Sequence, residues 1–191
     1  MEGFSLEYQV IVRRPRWEDV APLDAFFIKV IQHTLIINGL ADLVDFQIEE
    51  REDKNKKIRQ DLATGGKDRF FLLGEYQGQI IATIEYGPPS ELLLQCTNQE
   101  LLGVPEIGTV FVCPNHQRRG VASLLLRTLF QELSQAQIDQ VCLDSGYPLA
   151  QEIWTHIFGE PTYVLKDFWS PGGHHLIWRV GAAEMMKAWK H

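Results

Sequence analysis

The sequence contains few cysteines, no excess of basic residues and no long apolar run. Its three cysteines, Cys96, Cys113 and Cys142, are an odd number without Cys-x-x-Cys spacing, so neither a disulfide framework nor a zinc ribbon is expected. The formal net charge of −7 argues against a nucleic-acid-binding surface, which is normally basic. No signal-peptide pattern opens the chain, and no stretch approaches the length needed to cross a bilayer. We therefore expect a cytoplasmic protein with reduced thiols that binds neither nucleic acid nor membrane.

The length and composition predict one globular domain. The chain has 191 residues, of which 45% are hydrophobic and 23% charged, and a chain of this size buries enough apolar surface to fold without a structural metal. We expect a single domain over residues 1–181 and a loosely attached helical tail over 182–191. A monomer or a homodimer is expected, and the acidic balance favours a cationic partner such as an amine.

Apolar periodicity predicts an alternation of strands and helices. Strands are predicted over residues 6–13, 69–75, 79–86, 106–113, 140–144, 162–168 and 175–180. Helices are predicted over 21–35, 41–62, 121–133 and 149–158. The charge run 49–59 is interpreted as a solvated helix face, and 91–104 as a loop with one helical turn. This order predicts an α/β fold in which a mixed sheet carries helices on both faces.

The turn between Pro114 and the predicted helix at Val121 has the character of an anion site. Backbone N–H groups in a first helical turn have no partner within the helix, and the helix dipole favours an anion there. Gly120 removes a side chain where backbone and ligand would approach each other, and Arg118 and Arg119 add cationic donors suited to phosphate. The turn lacks the Gly-Lys-Ser/Thr ending of a P-loop and the three glycines of a dinucleotide fingerprint. Alone, these residues also suit a solvated turn before a core helix.

The same segment resembles the GCN5-related N-acetyltransferase (GNAT) superfamily. The superfamily motif Q/R-x-x-G-x-G/A matches residues 117–122, and the preceding hydrophobic-x-hydrophobic-x-Pro pattern is met by Val110, Val112 and Pro114. The resemblance extends over the whole chain in element order. It implies an acyl-CoA N-acyltransferase fold, in which a mixed, mostly antiparallel central sheet carries helices on both faces.

The resemblance also implies a donor site for acetyl-CoA as co-substrate, and no metal. Members hold the donor where the fourth and fifth strands splay apart. The backbone of Val110, Phe111 and Val112 would pair with the pantetheine arm, and the Val112 amide would stabilise the oxyanion. The pyrophosphate would be held by the amides of Gln117, Arg118, Arg119, Gly120, Val121, Ala122 and Ser123.

Glu106 is the predicted general base for the acceptor amine. It lies eleven residues before Gln117, the register of the base glutamate in the histone acetyltransferase branch. Strand parity would place it on the same face as Val110 if no bulge intervenes. Glu85 is the reserve, acting through water, and a solvated glutamate at a strand start is the alternative interpretation of Glu106.

The general acid is the point at which the sequence departs from the superfamily pattern. Many members carry a tyrosine where this chain has Trp154, and an indole N–H does not serve as a general acid. Tyr147 is our first substitute, followed by Tyr163 and His156. The prediction is therefore N-acetyl transfer from acetyl-CoA to a primary amine of a small molecule or a protein, by direct attack in a ternary complex. A non-catalytic acyl-CoA sensor and a protein binding another nucleotide through the same turn are the alternatives.

Overall fold

The computed structural model describes residues 9–188, which form one seven-stranded sheet flanked by six helices in that range. The strands are β1 (Ile11–Arg13), β2 (Phe70–Tyr76), β3 (Gln79–Gly87), β4 (Glu106–Val112), β5 (Gln140–Ser145), β6 (Tyr163–Ser170) and β7 (Gly173–Gly181). The helices are α1 (Val20–Ile37), α2 (Val44–Thr64), α3 (Glu91–Cys96), α4 (Val121–Gln135), α5 (Pro148–Phe158) and α6 (Ala182–Ala188). Residues 6–8 of the predicted first strand and 189–191 of the predicted tail lie outside the described residues.

The sheet is mostly antiparallel and confirms the predicted fold class. Its strand order is β1-β2-β3-β4-β5-β7-β6, and only β4 and β5 run parallel. These two strands share a single Cα pair, Glu106 with Cys142. The sheet is therefore continuous from β1 to β4 and from β5 to β6, with one bridging pair between the two parts.

Helices α1 and α2 cover one face of the first part of the sheet. The apolar side of α1 is buried there, with Leu23, Phe27, Val30 and Leu35 at most 2% exposed. The segment Trp17–Ile37, α1 with the 3₁₀ turn before it, is long and apolar enough to cross a membrane by length and composition, which corrects the expectation that no stretch approaches that length. The core helix of a globular protein meets the same test, and this helix packs against the sheet.

Helices α4, α5 and α6 cover the opposite face. The amphipathic α4 buries Leu125 and Leu129, as its apolar spacing predicts. In α5, Trp154 is 8% exposed and stacks on Phe158 at a centroid distance of 5.8 Å. Met185 of α6 is 5% exposed within the same core. The first turns of the predicted loose tail are therefore packed on the domain.

A bulge in β4 changes which side chains share a face. Glu85 of β3 pairs with Gly108, but Thr83 pairs with Phe111, so β4 carries one residue more than β3 over this interval. Thr109 absorbs the surplus with φ +51°. Because side chains alternate along a strand, the extra residue inverts the parity beyond it. Glu106 therefore shares its face with Phe111 and not with Val110, because the condition of that prediction, the absence of a bulge between the two residues, is not met.

Candidate active site

The gap between β4 and β5 opens beyond their one shared pair. There, Cys142 N donates to Pro105 O over 2.8 Å. At the far end of β4, Cys113 N donates to Ile81 O of β3 over 2.7 Å. Successive amides of a strand point to opposite sides, so the Val112 amide points away from β3 and into the gap. The Val112 carbonyl has the same direction, and it accepts a hydrogen bond from Gln117 Nε2 over 3.1 Å.

The turn that follows β4 presents backbone donors at the start of α4. Arg118 and Gly120 have φ values of +58° and +77°, which curl the chain tightly before the helix. The carbonyl of Gly120 accepts the first helical bond, from Leu124 N over 2.9 Å. The amides of residues 121–123 consequently have no partner within α4. The turn is exposed from Gln117 to Gly120, as an anion-binding helix terminus must be.

All the residues predicted for the donor site lie along one edge of the gap. Val110, Phe111 and Val112 end β4, and residues 117–123 form the turn and the first helical turn of α4. On the other side of the gap, α5 starts directly after β5 and leaves Leu149 54% exposed and Ile153 47% exposed. The structure thus brings the predicted donor residues together, with a half-apolar helix opposite them.

Four ionisable side chains cross the sheet in one row on the face covered by α1, α2 and α3. Glu85 comes from β3, Glu106 from β4, Asp144 from β5 and His175 from β7. The row follows from the register, because Glu106 pairs with Cys142 and Asp144 pairs with Ile177, and residues two apart share a face. Within residues 9–188, no group of three or more His, Cys, Asp or Glu side chains is placed to hold a metal ion.

Glu106 is the carboxyl of this row whose pKa is raised. Burial at the bottom of the gap, the Asp144 carboxylate and, to a lesser degree, that of Glu85 raise its pKa to about 7. The Lys57 ammonium and a hydrogen bond from Ser90 N to Oε2 oppose the rise. A carboxyl with a pKa near neutrality exchanges protons readily at physiological pH, which is the property a general base needs.

Glu85, the reserve candidate, is held in a structural network. Its side chain is 1% exposed and forms a salt bridge with Arg69. Thr109 Oγ1 donates to its Oε1 over 3.1 Å, and Lys57 Nζ lies 3.8 Å from the same oxygen. Since its oxygens are occupied by these donors, the structure favours Glu106 over Glu85 as the base.

One side of α2 faces the site, which corrects the interpretation of its charge run as a solvated face. Glu50, Asp53, Lys54 and Lys57 fall on one helical stripe. Lys54 is 8% exposed and pairs with Glu50 at 3.1 Å and with Asp53 at 3.0 Å. Lys57 pairs with Asp53 at 2.9 Å. The remaining charges of the run are largely solvated, so the sequence pattern did not separate the two sides.

Tyr147 occupies the N-cap position of α5, next to α2. Burial, with a further contribution from Glu50, raises the pKa of its phenol, so it remains protonated at neutral pH. The other candidates are placed elsewhere: Tyr163 donates its hydroxyl to Glu100 over 2.6 Å, and His156 is exposed on α5. Trp154 lies in the core and offers no proton donor to the gap. Tyr147 therefore lies between β5 and α5, close to Glu50 and Lys54 of α2.

The sequence reasoning missed the pair formed by Asp144 and His175. His175 Nε2 lies 3.0 Å from Asp144 Oδ2, and the His175 side chain is 3% exposed. On its other side, the indole N–H of Trp169 donates to His175 Nδ1 over 3.3 Å. The available signal was the alternation of His174, Leu176 and Trp178, which places His175 on the opposite face of β7 from Trp178. The alternation along β7 indicates the face of His175 but does not indicate that Asp144 lies beside its imidazole.

Comparison with known proteins supplies the family. The model of the acetyltransferase (GNAT) family matches residues 38–151, which run from the end of α1 into α5 and include the whole gap and turn. The chain belongs to the GNAT acetyltransferase family. The resemblance carried by residues 106–133 is thereby confirmed. A comparison with curated protein sequences finds no significant match.

Solved structures of GNAT proteins share the fold at low sequence identity. The PaiA N-acetyltransferase of Thermoplasma acidophilum, solved with coenzyme A, is 12% identical with a TM-score of 0.64, over 91% of this chain and 99% of that one. A ribosomal-protein-alanine N-acetyltransferase of Brucella melitensis is 21% identical with a TM-score of 0.64, over 90% and 99%. A proposed acetyltransferase of Salmonella typhimurium, solved with its cofactor acetyl-CoA, is 16% identical with a TM-score of 0.63, over 91% and 94%.

Proposed function

We propose that this GNAT protein is an N-acetyltransferase that moves an acetyl group from acetyl-CoA to a primary amine in a ternary complex. The observation that carries the proposal is the Glu106 carboxyl, whose pKa is raised to about 7. It lies where β4 and β5 separate, on the same strand as the Val112 amide that faces the gap. This arrangement on one strand supports the assignment of Glu106 as the proton acceptor and of the Val112 amide as the oxyanion donor.

The donor residues fit the parts of acetyl-CoA. The amides of residues 117–123, with Arg118 and Arg119, would hold the pyrophosphate at the N-terminus of α4. The edge of β4 from Val110 to Val112 would pair with the pantetheine arm as an added strand. When bound there, acetyl-CoA supplies the thioester carbonyl that accepts the amine. The GNAT neighbours solved with coenzyme A and acetyl-CoA support this assignment.

The chain's own groups divide the proton transfers. Glu106 takes a proton from the ammonium form of the acceptor, which leaves a nitrogen lone pair free to attack the carbonyl carbon. The Val112 N–H donates to the carbonyl oxygen as negative charge develops on it. The C–S bond breaks as the C–N bond forms, and the Tyr147 hydroxyl donates its proton to the departing sulfur. The proton still carried by the acylated nitrogen passes through solvent to the Tyr147 phenolate, which restores the phenol. Glu106 releases the proton it accepted to solvent, so that one proton is released per turnover.

A primary amine is the proposed acceptor class, and the protein is proposed to act in the cytoplasm as a monomer or homodimer. The acceptor would approach Glu106 from the side covered by α2 and the β6–β7 hairpin. Carboxylates of Glu106 and Asp144 face that side, which suits an ammonium group. The GNAT neighbours include a ribosomal-protein-alanine N-acetyltransferase, so both protein and small-molecule amines belong in a substrate panel.

Turnover separates an enzyme from a non-catalytic acyl-CoA sensor, the alternative favoured by the burial of Trp154 at the usual tyrosine position. Coenzyme A release is measured across polyamines, amino acids, aminoglycosides and amino-terminal peptides. An enzyme releases coenzyme A with at least one amine and loses this activity in Glu106→Gln. A melting temperature raised by acetyl-CoA without turnover on any amine would favour the sensor. A melting temperature raised by another nucleotide but not by acetyl-CoA would indicate that the turn before α4 binds that nucleotide instead.

The pH dependence of kcat/KM should show an acid limb near the pKa of Glu106. Because the base acts only as the carboxylate, activity is expected to be half-maximal near pH 7, to approach its plateau about one unit higher and to fall about tenfold per unit well below pH 7. The limb reflects the free enzyme, whose carboxyl has a pKa of about 7. The measurement is kcat/KM from pH 5 to 9 with one amine, correcting for the amine's own ionisation. A limb near the ordinary glutamate value would assign the base elsewhere.

Replacing Tyr147 with phenylalanine is expected to lower kcat about tenfold, a modest effect because a thiolate is a good leaving group. The ring and its packing are kept, so the affinity for acetyl-CoA should change little. Single-turnover rates measure the effect on the chemical step. Tyr163→Phe is the matched control, since its hydroxyl is bound to Glu100 at the surface and its loss should leave kcat unchanged. An equal decrease of kcat in both variants would show that Tyr147 is not the general acid.

A further inference from the structure

Asp144 lies on the strand next to Glu106 and on the same face of the sheet. The Cα partner of Glu106 in β5 is Cys142, and Asp144 follows two residues later. The Asp144 side chain is 22% exposed, so its charge is only partly screened by water. The two carboxyls are therefore neighbours on adjacent strands at the closed end of the gap.

Asp144 is fixed in this orientation by a buried histidine. His175 comes from β7, which pairs with β5 so that Asp144 is opposite Ile177, and the imidazole reaches Asp144 diagonally on the same face. Its Nδ1 accepts the Trp169 indole N–H. A neutral imidazole with an accepting Nδ1 carries its proton on Nε2, the atom that lies 3.0 Å from Asp144 Oδ2.

The contact between His175 and Asp144 is short but not a well-aligned hydrogen bond. Nε2 has no aligned hydrogen-bond acceptor among the described residues and is fully buried. A buried donor without an aligned acceptor is costly unless a nearby charge compensates for it. The Asp144 carboxylate supplies that charge, so the contact with the buried imidazole holds the Asp144 side chain in place.

We propose that Asp144, held by His175, is a positioning residue that acts through Glu106 and sets the pH range in which Glu106 is the proton acceptor. The role rests on the proposed function, because it acts through the proposed base. Four groups face Glu106: Asp144 from β5, Glu85 from β3, Lys57 from α2 and the Ser90 amide before α3. Arg69 and Thr109 already bind Glu85, and Lys57 is shared with Asp53. Of the two carboxylates in this set, Asp144 is the one that contacts a histidine.

The test follows the ionisation of Glu106 itself, so it does not depend on turnover. Protein labelled with carbon-13 at the glutamate side-chain carboxyl is titrated by NMR, and the Glu106 signal is assigned by its loss in Glu106→Gln. In Asp144→Asn the midpoint of that signal is expected to fall by about one pH unit, because a neighbouring negative charge is removed without a change of shape. An unchanged or higher midpoint would overturn the proposal.

Variants of His175 test its share in the effect. His175→Ala releases Asp144 and is expected to lower the Glu106 midpoint in the same direction as Asp144→Asn. His175→Gln keeps an N–H donor, so its Glu106 midpoint is expected to lie close to that of the wild type. If the Glu106 midpoint in His175→Ala equals that of the wild type, the positioning role assigned to His175 is wrong. A rise in melting temperature with acetyl-CoA checks that each variant remains folded.

A matched control variant and a measurement of turnover separate this proposal from the proposed function. Asp139→Asn makes the same chemical change at an exposed residue just before β5 and should leave the midpoint in place. A shift in Asp144→Asn together with no turnover on any amine would contradict the proposed function, while the electrostatic coupling between Asp144 and Glu106 would stand. Turnover that depends on Glu106, with no shift of the Glu106 midpoint in Asp144→Asn, would support the proposed function and overturn the role of Asp144.

Discussion

Glu106→Gln is expected to lower kcat/KM about 100- to 1,000-fold, within the range that a positioned general base contributes. Glutamine has nearly the same shape and still accepts the hydrogen bond from Ser90 N, but it does not take up a proton. The donor site is built from other residues, so the dissociation constant for acetyl-CoA should remain unchanged. Steady-state rates of coenzyme A release, with calorimetric titration of acetyl-CoA, measure both quantities.

Two further observations complete that experiment. Glu160→Gln makes the same change at an exposed residue after α5 and should retain full activity. The residual activity of Glu106→Gln should also lose the acid limb near pH 7. If Glu106→Gln keeps kcat/KM within about threefold of the wild type, the base role contributes too little for general base catalysis, and Glu106 is a structural carboxylate.

Gly120→Ala is expected to weaken acetyl-CoA binding about tenfold, which corresponds to about 1.4 kcal/mol. Gly120 adopts φ +77° in the left-handed region, where a side chain costs roughly 1–2 kcal/mol. A Cβ there would meet no atom within 4 Å, so the penalty is conformational rather than steric. The turn would relax from this conformation, and the amides of residues 121–123 would lose their common direction. The dissociation constant for acetyl-CoA measures the change.

Gly65→Ala is the matched control for that variant. Gly65 ends α2 with φ +61°, also in the left-handed region, and a Cβ there likewise meets nothing within 4 Å. The backbone penalty is therefore similar, but the residue lies away from the turn before α4. Gly65→Ala should lower the melting temperature and leave the affinity for acetyl-CoA unchanged. If both variants weaken binding equally, the effect comes from stability and not from the donor site.

The positions of the strands and helices were largely predictable from the sequence. Alternation in β2 and β3 and the apolar spacing of α4 reflect local periodicity, and these elements are found close to their predicted positions. The turn from Gln117 to Gly120 was also predictable, since a glycine at a helix start is a local signal. These features depend on residues close together in the sequence.

The arrangement around Glu106 was not predictable in the same way. The bulge at Thr109 lies directly after Gly108, an isolated glycine in a strand, which is only a weak bulge signal. The residue with φ +51° is the threonine, and the bulge inverts the parity on which the face of Glu106 was judged. The proximity of Asp144 and His175 depends on how β5 and β7 pair, a tertiary property that neither strand's own pattern contains. The inward side of α2 was hidden because Lys54 and Lys57 are compensated by nearby acids, so charge alone did not indicate burial.

The single Cα pair between β4 and β5 has a mechanical consequence. The sheet has two continuously hydrogen-bonded parts, β1-β2-β3-β4 and β5-β7-β6, that meet at Glu106 and Cys142. Any change in the angle between the two parts widens or narrows the far end of the gap while displacing the meeting point least. The proposed base stands at this pivot. A change of width at the far end of the gap would therefore displace the Glu106 carboxyl less than any residue of the turn before α4.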